Sequence, residues 1–461
     1  MKKNKLITAL VVGASCLGLF ANTPMNMQVW LKNGEQQVFE IDQVDSVTFG
    51  VAQQEEFKPL NDWTFLPNNN RPVPLSLSNE QIAYVHTGND FAKKSFSLIN
   101  QSHDNENLFY SPISLQIALG LCANGASSKG SKEIATVLGF QGDNSVEEMN
   151  QYFNSVILSL NSPIDSVILK VNNAIWPVMG AIVKPSFLGV ARDQYYATVR
   201  HLDYVNEPTA SKDTIDKWAA LMTNDCIKRL NIVIDNFTTL VINNACYFKA
   251  GWHVDIRESM TKNDTFMTID GNKQIVDMMH SEDTYFYTQT DDYQMIELTY
   301  GYKNEILSNN GMGSYSMLLF LPSEGKSLNE TFDAINWDSI SLKRTMVDLK
   351  FPRFGIKSSL SLVDNMKDMG ISNIFSSYPF AVNMGSVVSD IVQDTYIKVD
   401  EEGTEAAAVT SIVAAGSALP SSTASMKVNR PFGFVIREKT TGMLLFMGKV
   451  NVVKKVNKEE E

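Results

Sequence analysis

Between Gly403 and Lys427 the chain has no lysine or arginine, and after Glu405 no charge of either sign. It has no proline there before Pro420, so every backbone N–H from Thr404 to Leu419 can donate to a sheet ladder. Other scarcities narrow the chemistry. The cysteines are four, Cys16, Cys122, Cys226 and Cys246, and none forms a Cys-x-x-Cys pair, which excludes the usual zinc and redox motifs. The last three lie in apolar or mixed sequence and are expected as buried free thiols. The histidines are five, His86, His103, His201, His253 and His280, and none belongs to His-Glu-x-x-His. His253, beside Trp252, reads as a surface or packing residue. A Gly-x-Ser-x-Gly elbow is missing, and Gly311-Met312-Gly313 lacks the third glycine of a dinucleotide loop, so it reads as a turn. An enzyme is therefore not expected, nor a cofactor or metal. Basic residues are outnumbered 39 to 51, and the net charge of −12 argues against nucleic acid or a heparin-type polyanion as partner.

What is present suits a large core. The chain has 461 residues, 44% of them hydrophobic, enough for one large domain or a few smaller ones. Met1-Lys2-Lys3-Asn4-Lys5 is a positive start, and Leu6 to Ala14, extended by Leu17 to Phe20, is apolar. Residues 1–21 read as a secretory signal peptide, too short and too early for a membrane span, with Ala21 as the cleavage residue. Gly13-Ala14-Ser15-Cys16 is a weak lipobox, so a lipid anchor on Cys16 is the alternative to simple export. The protein is expected outside the cytoplasm, secreted or periplasmic.

Within residues 22–50, alternating stretches on either side of Asn33-Gly34 predict a β-hairpin with a type I′ turn, too small to be a stable domain alone. Residues 51–78, rich in Pro, Asn and Gln, read as a linker. The main domain is expected over 79–455, with a charged tail at 456–461. Ala92, Phe96 and Ile99 share a helix face. Ser111 can cap a helix that has Pro112 in its first turn and Gly125 at its end. Asn243 to Trp252, Met317 to Pro322 and Val347 to Phe354 read as strands, and Leu362 to Gly370 as a helix stopped by glycine.

The uncharged stretch has two faces at the period of strands. One carries Thr404, Ala406, Ala408, Thr410, Ile412, Ala414 and Gly416, small enough to be buried in a sheet. The bland alternative is an Ala/Ser-rich linker. Val409, Ile412 and Val413 favour a strand, and apolar sequence continues on both sides, whereas a linker ought to separate domains. Gly403 supplies a hinge without a Cβ.

Glu401-Glu402-Gly403-Thr404-Glu405-Ala406-Ala407-Ala408 resembles the hinge of the serpin family. Val428-Asn429-Arg430-Pro431-Phe432 and Leu445-Phe446-Met447-Gly448-Lys449-Val450 resemble that family's C-terminal strands, and Asn107 to Ser114 its strand-to-helix turn. Gly433 departs from the pattern, which has a large apolar residue there. The resemblance implies a mixed α/β (α+β) fold with three β-sheets, about nine helices and an exposed reactive loop. It implies that Ser111, Ser114 and Asn244 form a hydrogen-bonded cluster closing the central sheet, with Trp252 under the point where the loop inserts. The histidine usual in that cluster is Gln393 here, which still donates and accepts but carries no titrating charge.

The function implied is suicide inhibition by a secreted bacterial member, acting as a monomer. A target serine protease cuts the loop and becomes esterified to it. The freed strand inserts into the central sheet and carries the protease away, so its catalytic geometry is lost before deacylation. The family places the scissile bond fourteen residues after the hinge glycine, which from Gly403 gives Ser417–Ala418. Neighbouring registers offer Val413, Ala415, Ala418 or Leu419, all small or aliphatic, which suits elastase- or subtilisin-like pockets rather than trypsin-like ones. The rivals are a non-inhibitory binding protein of the same fold and an inhibitor of papain-like cysteine proteases.

Overall fold

The structure is a computed structural model that describes residues 26–30, 36–40, 75–161, 167–181, 183–235, 238–301, 314–376, 388, 391–404 and 423–454. The chain divides into two units, Met1–Pro59 and Leu60–Glu461. The first holds the antiparallel pair β1 (Asn26–Trp30) and β2 (Gln36–Glu40). Trp30 pairs with Gln36, one residue short of the partner that a two-residue Asn33–Gly34 turn would impose, so the predicted type I′ register is not the one adopted.

The second unit begins with α1 (Asn79–Ser102), whose first turn is closed by a capping box between Ser78 and Gln81. There follow β3 (Leu108–Tyr110), α2 (Pro112–Gly125), α3 (Ser128–Val137), α4 (Ser145–Leu160), β4 (Ile168–Pro177), α5 (Pro185–Asp193), β5 (Thr198–Val199) and α6 (Pro208–Met222). The middle of the chain is strand-rich: β6 (Leu240–Gly251), β7 (Lys262–Met267), β8 (Lys273–Gln289), β9 (Tyr293–Thr299) and β10 (Tyr315–Pro322). Then come α7 (Leu328–Ala334), β11 (Lys343–Pro352), β12 (Phe354–Ser361), α8 (Val363–Met369) and α9 (Asn373–Ser376). The last strands are β13 (Val392–Val399), β14 (Gly403–Thr404), β15 (Ala424–Lys427), β16 (Phe432–Glu438) and β17 (Leu444–Val450). Nine α-helices are thus described, in a mixed α/β arrangement.

Besides the hairpin there are two sheets. One has six strands in the order β12-β13-β14-β6-β4-β5. The other has nine, in the order β15-β11-β8-β9-β10-β16-β17-β3 with β7 also on β8. The second is continuous because β8, 17 residues long, pairs with β7, β11 and β9 in turn. Two of the sheets that the resemblance implies therefore share one strand. The helix α2 is apolar all round and buried on every side except at Asn124, as such a helix must be, and it packs against β6 and β17. Gly433 has a packing reason. A Cβ there would lie 2.2 Å from the Phe320 ring and 2.7 Å from the Phe332 ring, so the two phenylalanines already fill the space of the missing side chain.

Two expected caps have different outcomes. Gly370 ends α8 in the left-handed region at φ +105°. Ser111 sits at the N-cap of α2 but makes no capping bond; its hydroxyl donates to the Leu445 carbonyl instead, at 2.8 Å. Cys122, Cys226 and Cys246 are buried thiols.

Candidate functional site

The loop hinge is built by a tight reversal between β13 and β14. Asp400 N–H donates to the Gly403 carbonyl and Gly403 N–H donates back to Asp400 (3.0 and 3.3 Å). Gly403 has φ +147° and lies against β6 so closely that a Cβ would sit 2.1 Å from the Ala250 carbonyl oxygen. Glycine is needed here for both reasons. Thr404 then pairs with Val399 on one side and Ala250 on the other, and is only 1% exposed.

Side chains lock this seat. The Thr404 hydroxyl and the Tyr300 hydroxyl lie 2.7 Å apart in a hydrogen bond. Tyr300 stacks on Trp252 with centroids 4.6 Å apart, and burial pushes its phenol well above the ordinary range. Trp252 holds the reversal itself: its indole N–H donates to the Asp400 carbonyl (2.8 Å) and its backbone N–H to Glu402 (3.0 Å). Glu401 turns inward and is met by Arg353, whose Nε and Nη2 each lie 2.7 Å from a carboxylate oxygen; Thr261 also donates to it. Arg353 reaches Glu258 as well, and these bonds, that to Glu401 first, raise its guanidinium pKa. Glu401 is thus anchored to Arg353 and Thr261 rather than left to solvent.

Strand directions set what this seat can do. The strand β14 is antiparallel to both β13 and β6. It follows that β13 and β6 run parallel to each other below Thr404. A chain continuing from Thr404 between them would be antiparallel to both, the more stable pairing per residue. Behind this seam, α2 (Leu115, Cys122), β6 (Ile242, Asn244) and β13 (Val392, Gln393) line a void of about 10 Å³, the volume of one water.

The seam is pinned to the strand β3 and the start of α2. Gln393 clamps the Ser111 backbone with both ends of its amide: Oε1 accepts from the N–H (2.8 Å) and Nε2 donates to the carbonyl (2.9 Å). Thr395 donates to the Phe109 carbonyl (2.7 Å), and the Phe109 N–H donates to Ser358 (3.0 Å). Ser111 Oγ lies 3.8 Å from the sulfur of Cys246, a thiol that burial pushes up to about 12 and so keeps protonated. Ser114 is fully buried near Cys246, and its hydroxyl has no oxygen or nitrogen partner among the described residues. Asn244 donates to Asn173 (2.8 Å) rather than to either serine. The expected cluster is thus divided: Ser111 with Gln393, and Asn244 with Asn173 on β4.

Sequence reasoning missed three members. Arg353 lies between β11 and β12, 48 positions from Glu401, and no local pattern connects them. Thr395 shares the inward face of β13 with Gln393, Ile397 and Val399, and that alternation of two polar and two apolar residues was a readable signal. On the opposite face, Asp394 accepts a bond from the Asn231 backbone in the stretch that joins α6 to β6, and burial raises its carboxyl pKa. Glu405, Ala406, Ala407, Ala408, Ser417 and Ala418 lie outside the described residues.

Comparison with known proteins agrees with this geometry. Residues 86–453 match the family described as Serpin (serine protease inhibitor). An uncharacterized serpin-like protein of Thermococcus kodakarensis is 32% identical over 357 residues, covering 75% of this chain and 81% of that protein. Human Serpin B4 is 30% identical over 380 residues, 77% of this chain and 95% of its own. Among solved structures, the thermophilic serpin tengpin in its native state superposes with a TM-score of 0.71 at 26% identity, over 83% of this chain and 97% of that one. The match covers most of the chain and includes every element of the hinge and seam, and the protein belongs to the serpin family.

Proposed function

We propose that this protein inhibits serine proteases that prefer small residues, of the elastase or subtilisin type, by suicide trapping. The target cuts at Ser417–Ala418 and stays esterified to the new terminus. The chain from Thr404 onward then enters the seam between β13 and β6. One observation carries the proposal: Thr404 is already buried between two strands that run parallel to each other and antiparallel to it. Everything up to Ala414 on the inserting face is small or aliphatic, so insertion buries no charge. In extended geometry Thr404 to Ser417 spans about 45 Å, enough to carry a tethered protease the length of a domain. Residues 1–21 support export, so the inhibitor would meet its target outside the cytoplasm.

The test is a gel of the protein mixed with pancreatic elastase. A band at the summed mass that survives boiling in detergent supports trapping. Cleavage of the loop with full recovery of protease activity refutes it.

A further inference from the structure

The face of the nine-stranded sheet beside the loop carries an exposed aromatic residue that neither the hinge nor the seam uses. Phe286 on β8 is 39% exposed. Its cross-strand neighbours are Arg344 on β11, also exposed, and Glu297 on β9. The ring is supported from one side: Lys439 Nζ lies 5.9 Å from its centroid. Lys439 is in turn held 3.4 Å from Glu297, which Arg437 binds at 2.7 Å and Ser316 at 2.9 Å. Glu297 and Lys439 are themselves mostly buried, at 4% and 14% side-chain exposure, so the platform under the ring is rigid. Half-buried Met346 lies on the same face of β11, opposite Thr284.

This patch adjoins the point where the loop returns to the sheet. Thr423 donates its backbone N–H to the Met346 carbonyl (3.0 Å), and β15 then continues beside β11. From Thr423 to Phe286 is two strand spacings across and two residues along, about 12 Å. Ala418, the first residue after the scissile bond, is five residues before Thr423, a tether of at most about 18 Å. A protease holding Ser417–Ala418 in its active site is tens of ångströms wide, so its surface beyond the scissile bond must overhang this face.

We propose that Phe286, with Arg344 and Met346 at its rim, is a second docking surface for the target protease, engaged while the loop occupies the active site. This rests on the inhibitory reading above. Phe, Met and Arg are the residue types enriched at such contacts, and an aromatic fixed in advance by a buried ion cluster loses little freedom on binding. Arg344 supplies guanidinium donors for carbonyls or carboxylates on the protease rim.

The experiment separates docking from trapping. Elastase whose active-site serine is replaced by alanine binds without cleaving, and its Kd for the full-length protein is measured by surface plasmon resonance. Phe286→Ala is expected to weaken this Kd about tenfold or more, and Arg344→Ala about threefold, the range for truncating interface anchors. Arg344 is exposed, so its variant serves if Phe286→Ala fails to fold. With active elastase the variants should trap more slowly but with unchanged stoichiometry, because insertion is untouched. Variants that bind and trap at the wild-type rate overturn the docking surface and leave the inhibitory reading standing. Wild-type protein that binds inactive elastase through Phe286 but never traps active elastase overturns the inhibitory reading alone. Absence of any binding overturns the docking surface, and the gel with active elastase then decides the inhibitory reading.

Discussion

Thr404→Arg tests the hinge at its most constrained point. Thr404 is 1% exposed, flanked by two strands, with its hydroxyl on Tyr300. A guanidinium forced into that seat without a partner costs about 3–5 kcal/mol. Loss of the Thr404–Tyr300 bond adds about 1 kcal/mol, because the phenol loses its partner in a buried site. In the uncut protein the chain can avoid this by leaving the seam. After cleavage it cannot, since Thr404 is the first residue to insert. Even 3 kcal/mol on that step slows insertion more than about 100-fold. Hydrolysis of the acyl-enzyme is unaffected, so it wins the race. The stoichiometry of inhibition is one plus the ratio of hydrolysis to insertion rates, and that ratio should rise more than about 100-fold. Titrating elastase with each protein and counting residual activity reads this directly. A variant that traps with wild-type stoichiometry would show that Thr404 does not enter the sheet, and the reasoning would be wrong.

Gly403→Ala places a methyl group 2.1 Å from the Ala250 carbonyl at φ +147°, so the hinge should leave its seat; exchange of the Thr404 amide should speed up more than about tenfold, and unchanged exchange would refute the packing. Burial drives the Lys449 ammonium down to about 8 from its ordinary 10.5, so between those values the unfolded chain binds more protons than the native one. Stability should therefore rise as pH goes from about 8 to 10.5, and Lys449→Met should flatten that rise in urea melts. Ser417→Arg should gain covalent complexes with trypsin and lose most of those with elastase, since the primary pocket reads that one side chain; sequencing the released fragment, expected to begin at Ala418, checks the register.

The hinge was legible because its physics is local. Gly403 must lack a Cβ, and Thr404 opens an uncharged face; both are readable from single positions and a period of two. The helix stop at Gly370 was legible for the same reason. Long-range polar pairs were not. Arg353 and Glu401 meet only because β12, β13 and the reversal after β13 bring them together, and neither residue type is distinctive alone. The partner of Asn244 was misjudged because the buried Asn173 lies directly across the ladder on the adjacent strand and accepts its amide N–H. Ser111 was read as a cap from its place before Pro112, but a buried carbonyl of β17 competes for its hydroxyl.

The central claim is that the sheet lacks a strand that its own loop supplies. Limited proteolysis between Val413 and Leu419, followed by thermal unfolding of cut and uncut protein side by side, measures this directly. If the freed strand pairs between β13 and β6, the cut protein gains about a dozen ladder bonds and should melt tens of degrees higher. If cut and uncut protein melt at the same temperature, the loop does not insert, and the inhibitory mechanism is contradicted.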